Sequence, residues 1–162
     1  MKQIFLSQGK FAIVDDEDYE FLNQWNWTAI KHRNTFYALR KIRIKGQSVR
    51  KNIHMHRLVL RAPDDMQVDH INGNALDNRK KNLRLVTPQQ NSMNRAVTSN
   101  NSSGCTGVHF HRHLKKWIAK IRKNKKAVHL GVFEKREDAI SARREAEKQY
   151  FGEFARRQPE NI

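Results

Sequence analysis

Apolar residues recur along this chain at short, changing intervals, and the intervals divide it into strand-like and helix-like stretches. Residues 3–14 alternate weakly, with Ile4 and Leu6 and then Phe11 and Ile13 about Gly9, which predicts a hairpin. Asp15 and Asp16 then precede EDYEFLNQW, where Tyr19 and Leu22, with Phe21 and Trp25 near them, give one helical face. Either aspartate can cap that helix, and its acidic first turn suits the positive end of the helix dipole. WTAI, TFYALRKIRI and VRKNIHM read as further strands about a turn at Gly46. From His56, HRLVL predicts a short helix that buries Leu58, Val59 and Leu60 and stops at Ala62-Pro63-Asp64-Asp65.

The stretch Val68 to Asn91, VDHINGNALDNRKKNLRLVTPQQN, has a different texture. A short strand ends on Asp69-His70, and Asn72, Gly73, Asn74, Asp77 and Asn78 supply turn chemistry. A second apolar run follows at Leu83, Leu85 and Val86. Thr87-Pro88-Gln89-Gln90 then has the form of a helix start, with Thr as cap, Pro at the first helical position and Gln three residues on. Strand, loop, strand and helix would bring Asp69, His70, Asn82 and Asn91 together.

Asn94 to Gly104 is rich in Asn and Ser and predicts a linker, placed at 96–103. From Cys105 onward, CTGVHFHRH, KKWIAKIRKN and KAVHLGVF alternate as three strands, with turns at Leu114-Lys115 and Asn124-Lys125. Val108, Phe110, Trp117, Ala119, Ile121, Val128 and Leu130 fall on one face. His109, His111, Ile118, Lys120, Arg122 and His129 fall on the other. Residues 135–151 predict a helix with Ala139, Ala142, Ala146 and Tyr150 at helical spacing and Gly152 past its end, its small alanines letting it lie close to the sheet.

Composition narrows the partners. The 162 residues carry 32 Lys and Arg against 16 Asp and Glu, a formal charge of +16. The excess is uneven: residues 1–30 sum to −3, 31–66 to +8, 67–94 to +2, 95–126 to +9 and 127–162 to zero. Clustered positive charge interleaved with Trp27, Trp117 and histidines points to a polyanion, since each neutralised phosphate releases counterions. Arg40 and Arg43 on a basic strand are candidate phosphate contacts. No run is apolar enough to span a membrane, the N-terminus lacks a signal peptide's apolar segment, and one cysteine excludes a disulfide framework. An intracellular protein with no membrane role and no obligate protein partner is expected.

Phosphodiester cleavage needs a base to activate water and a counter-charge for the oxygens that become more negative. His70 suits the first need, with an ordinary pKa near pH 6.5. Asp69 and Asn91 offer the hard oxygen ligands that Mg2+ or Mn2+ prefers, and Asn82 can orient the imidazole through its second nitrogen. His54 and His56 lack a third ligand at a sensible spacing and are not read as a metal pair.

The DH…N…N pattern after HRLV resembles the HNH endonucleases with a ββα-metal (His-Me finger) site, most closely the phage and intron-encoded homing branch. The resemblance implies His70 as general base, Asp69 and Asn91 holding one divalent ion, Mg2+ or Mn2+, and Asn82 positioning His70. The cysteine pairs that hold zinc in many HNH proteins are absent. Residues 104–156 resemble the AP2 DNA-binding domain through TGV, KKWIAKI, HLGVF and YFGEFA. That resemblance implies that His109, His111, Arg112, Lys120, Arg122 and His129 face double-stranded DNA. The expected fold is therefore α+β: an HNH nuclease domain over 1–95 with a strand-rich leader, a linker over 96–103, a three-stranded antiparallel sheet on one helix over 104–156, and a tail over 157–162. A metal-dependent, site-specific homing endonuclease follows, with a non-catalytic DNA-binding regulator as the alternative.

Overall fold

The computed structural model describes residues 1–32, 35–44, 46, 49–94, 97–98, 100–124 and 126–155. Lys45 of the basic strand, Lys125 of the second turn, part of the 96–103 linker, residue 156 of the C-terminal domain and the 157–162 tail lie outside the described residues. The chain is mixed α/β, built from small antiparallel sheets and few helices. It divides into two compact units, one over Met1–Ser92 and one starting at Met93.

In the first unit, β1 (Lys2–Phe5) and β2 (Phe11–Val14) pair as a hairpin, with Phe5 opposite Phe11. Helix α1 (Asp16–Leu22) buries Leu22, while Phe21 stays on the surface and Trp25 lies past the helix end. Asp15 sits at the cap position but makes no side-chain cap bond; its Oδ2 instead accepts the Lys80 N–H at 2.8 Å. Strands β3 (Thr28–His32), β4 (Thr35–Arg43) and β5 (Arg50–His54) form an antiparallel sheet with β4 in the middle. Ala29 and Ala38 join Ile4, Leu6, Ala12, Val14, Leu22, Trp27 and Met55 in one core. Helix α2 (Met55–Val59) follows β5 directly and buries Met55, with Leu58 and Val59 packed at the edge of the same core. Full burial of Leu22 and Met55 stabilises the unit by about 1.5–3 kcal/mol each.

The second unit carries β8 (Val108–His111), β9 (Lys116–Lys123) and β10 (Lys126–Phe133), antiparallel with β9 central, and helix α4 (Arg136–Phe151). Val108, Ala119 and Ile121 face a core that includes Ala139, Ala146 and Phe151. Arg143 is buried in the same helix: its Nε donates to Glu147 at 2.9 Å and its Nη1 to the Lys120 carbonyl at 2.6 Å. Ala142 and Tyr150 are only half-buried, so the alanine spacing marked the right face and missed the arginine. A side chain at Gly107 (φ +84) would collide with the Lys120 carbonyl and Arg143, and this close approach requires glycine. The second unit takes in part of the segment read as linker. Met93 packs near Ile121, Ala146 and Phe151, and Ser103 Oγ accepts the Cys105 N–H at 3.1 Å and donates to the Val108 carbonyl at 2.8 Å. Among the described residues no helix is long and apolar enough to cross a membrane.

Candidate active site

Strands β6 (Gln67–His70) and β7 (Leu83–Val86) pair antiparallel, with Asp69 opposite Arg84 and His70 opposite Leu83. Helix α3 (Pro88–Met93) follows at once. Its start is a reciprocal capping box: the Gln90 N–H donates to Thr87 Oγ1 at 3.3 Å, and Gln90 Oε1 accepts the Thr87 N–H at 2.8 Å. The cap fixes the first turn of the helix and so places Asn91, whose Nδ2 donates to Gln67 Oε1 at 2.7 Å. Strand alternation puts Gln67 and Asp69 on one face of β6, so the Asn91 amide is drawn to the Asp69 side while His70 turns to the other.

His70 is buried in a nest of rings. Its centroid lies 5.2 Å from His56, edge to face, and 6.1 Å from Tyr37. His56 stacks on His54 at 5.2 Å, and Tyr37 also meets both of these rings and His32. Burial favours the neutral imidazole at His54, His56 and His70. The His56 pKa is pushed down to about 3, by desolvation first and then by the charges of His70, His54 and Arg57. The His70 pKa is also lowered by burial, opposed by hydrogen bonding to Asn78 and by the Asp69 and Asp77 charges. A neutral imidazole in this nest can accept a proton, which is the condition for a general base.

Asp69 is buried, and Arg84 holds its Oδ2 through Nη2 at 2.7 Å and Nε at 2.9 Å. The donor set suits a hard divalent cation, because Asp69 offers carboxylate oxygen and Asn91, with Nδ2 turned to Gln67, presents its oxygen elsewhere. Among the described residues no three His, Cys, Asp or Glu side chains gather as a metal cluster. An ion held by Asp69 and Asn91 would share the carboxylate with Arg84 and draw its other ligands from phosphate and water.

Asn82, read as positioning His70, is tied to the loop that follows the imidazole. Both ends of its buried amide serve the loop after His70: Oδ1 accepts the Asn72 N–H at 3.0 Å, and Nδ2 donates to the Asp77 carbonyl at 2.8 Å. Asn78, read from sequence as turn chemistry, is the amide facing the imidazole. It is 1% exposed, its Nδ2 donates to the Leu76 carbonyl at 3.2 Å, and its amide opposes the burial that lowers the His70 pKa. Asp77 anchors the same loop through Arg79 at 2.6 Å and Asn72 at 3.1 Å, and the Arg79 hydrogen bond holds its pKa below the usual carboxylate value. Nothing in the local sequence separates Asn78 from its neighbours; the dense run of Asn and Asp was the only signal.

The candidate DNA contacts divide. Arg43 lies exposed on β4, but Arg40 falls on the core-side face with Ala38, its guanidinium 3.8 Å over the Trp25 ring and its Nε buried. Arg40, read as a phosphate contact, is therefore packed on an aromatic ring while also lining an open cavity beside Lys41. In the second unit, His109, His111, Lys120, Arg122 and His129 share the face turned away from α4, as the pairing of His109 with Ile118 and His129 with Lys120 requires. Lys120, Arg122, His129 and the turn residue Arg112 are exposed. His111 Nδ1 accepts the Leu114 N–H at 3.3 Å and so shapes that turn.

Residues 55–93, from α2 to the end of α3, match a protein-family model described as HNH endonuclease. The chain is 33% identical over 96 residues to an uncharacterized HNH endonuclease of Acanthamoeba polyphaga mimivirus, covering 57% of this chain and 48% of that protein. It is 36% identical over 55 residues to Protein 3.8 of Escherichia phage T7, covering 34% of this chain and 46% of that one. The chain thus spans about half the length of the curated relatives it matches. No solved structure matches.

Asn82→Ala should leave the Asn72 N–H and the Asp77 carbonyl unpaired and cost about 2–4 kcal/mol in urea unfolding. An orienting role for Asn82 would instead leave stability near wild type. A second outcome concerns pH. The native His56 pKa lies below that of the unfolded chain, so stability is complete above about pH 6.5 and is lost as pH falls toward 3. Between pH 7 and 4.5, His56→Phe should lose about 2 kcal/mol less unfolding free energy than wild type, measured by urea titration.

Proposed function

We propose that the chain is a divalent-metal-dependent DNA endonuclease that hydrolyses phosphodiester bonds. The observation that carries this reading is the β6–β7–α3 unit, which lies within the segment matching HNH endonucleases. It sets a buried, neutral His70 beside Asp69, with Asn91 on the following helix. His70 accepts a proton from the attacking water. The loop presents His70 because Asn82 and Asp77 hold its backbone, and Asn78 steadies the ring. Asp69 and Asn91 would hold one Mg2+ or Mn2+, which when bound offsets the charge growing on the phosphate and leaving-group oxygens. The ring nest of Tyr37, His54 and His56 keeps bulk water from the far side of the imidazole.

The second unit is assigned as an AP2-like reader of double-stranded DNA. His109, His111, Arg112, Lys120, Arg122 and His129 face the major groove; Arg can pair bidentately with guanine, and the lysines meet phosphate. A cutting unit and a locating unit on one chain suit a homing nuclease, and the phage and viral relatives support that setting. A second reading, a DNA-binding regulator without cleavage, draws support from one observation: Arg84 already neutralises the Asp69 carboxylate.

Purified protein should nick supercoiled plasmid in Mg2+ or Mn2+ and not in excess EDTA. The double variant Lys120→Ala, Arg122→Ala should bind duplex more weakly and reduce the salt slope of binding by about 2. Salt-sensitive duplex binding with no cleavage under any divalent ion would establish the regulator instead.

A further inference from the structure

The three-stranded sheet of the first unit has a second face, turned away from its core. Alternation along β4 puts Tyr37, Leu39, Lys41 and Arg43 on the face opposite Ala38 and Arg40. The register adds Thr28 and Ile30 from β3, and Arg50, Asn52 and His54 from β5. At one end, Tyr37 and His54 belong to the ring nest around His70. At the other, Arg43 lies directly opposite Arg50, and no Asp or Glu occurs anywhere between Glu20 and Asp64. Like charges directly opposite one another destabilise a sheet, so this face is built for an anion that the chain does not itself supply.

An open cavity of about 440 Å3 adjoins this face. Thr28, Ile30, Leu39, Lys41 and Arg50 line it from this side, and Arg40 and Ile42 of the opposite face also reach it. A solvated basic surface needs no such cavity. Ile30 and Leu39 beside the cations Lys41 and Arg50 match a nucleotide, whose sugar carbons and base faces pack on aliphatic side chains and whose phosphate pairs with cations. From Tyr37 to Lys41 is four strand residues, about 14 Å, or about four base steps along one DNA strand.

We infer that this face binds the backbone of the strand being cut, on Lys41, Arg43 and Arg50. Its cavity takes the sugar and base edge of one deoxynucleotide about four positions from the scissile phosphate. The inference rests on the nuclease reading for its orientation toward His70.

The test uses the full chain with His70→Ala, so that DNA stays intact, and a fluorescein-labelled duplex of about 30 base pairs spanning a cut site mapped on plasmid. Adding Lys41→Ala with Arg50→Ala should weaken affinity about tenfold or more and lower the salt slope by about 2. Adding Ile30→Trp, which fills the cavity without changing charge, should weaken affinity about fivefold with the slope retained. Should Ile30→Trp shift the urea midpoint, Thr28→Glu at the exposed rim gives the same loss by repulsion. In the cleaving enzyme, the double variant should raise KM about tenfold while kcat stays within about threefold. Affinity and KM within about twofold of the parent for the double variant overturn the proposal. An intact, wild-type-like response to both Ile30→Trp and Thr28→Glu also overturns it, by leaving the cavity empty of substrate. If the wild-type protein never cleaves, the nuclease reading falls, and the same binding arms, run on a random-sequence duplex of about the same length, still report on the face.

Discussion

Everything at the candidate site depends on holding a loop that has little structure of its own. Residues 71–79 leave β6 just after His70 and must return to β7 with the imidazole fixed. Asn82 closes the loop from the inside, joining the Asn72 amide to the Asp77 carbonyl. The hairpin strand β2 holds it from outside: the Ile13 N–H donates to the Leu76 carbonyl at 2.8 Å, and the Ile13 carbonyl accepts the Asn78 N–H at 2.7 Å. Asp15 and Glu17 then take the Lys80 backbone and ammonium. The N-terminal strands are therefore the bed on which the loop is set. The bonds of Asn82 are buried or half-buried, so losing one leaves a polar group unpaired away from water, whereas the Lys80 contacts lie at the surface.

Charge is distributed to match that frame. Asp15, Glu17 and Asp18 reach Lys80 at the loop's end, Asp77 is the one acid within the loop, and the three-stranded sheet of the first unit carries none. The one acid read as a metal ligand, Asp69, is neutralised across the strand by Arg84, so any divalent ion enters a site already partly balanced. The neutral histidines follow the same logic. A cation buried among His54, His56 and His70 would face like charges and no bulk water, and all three rings are held in the form that accepts protons.

Much of the architecture was legible because it follows from local rules. Alternation at Val108, Trp117, Ala119 and Ile121 marks the inner face of the second sheet, though Phe110 on the same alternation stays exposed, and Thr87-Pro88-Gln89-Gln90 forms the cap its residue types dictate. What was not legible depends on distant partners. Asn78 and Asn82 are chemically identical, and only the docking of the loop on β2 decides which faces His70 and which braces the turn. Arg40 reads as one of several basic residues on its strand, until Trp25, fifteen positions earlier, takes its guanidinium. Arg143 reads as surface charge on α4 because the carbonyl it binds, that of Lys120, belongs to another element. Residue type sets what a side chain can do, and tertiary contact selects among those options.

If His70 is the base, removing its imidazole must stop cleavage and spare binding. Single-turnover cleavage by His70→Ala should fall by about 100-fold or more, the scale of general-base loss, with duplex affinity on the same preparation within about threefold of wild type. A His70→Ala protein that binds normally and cuts at the wild-type rate would contradict the account.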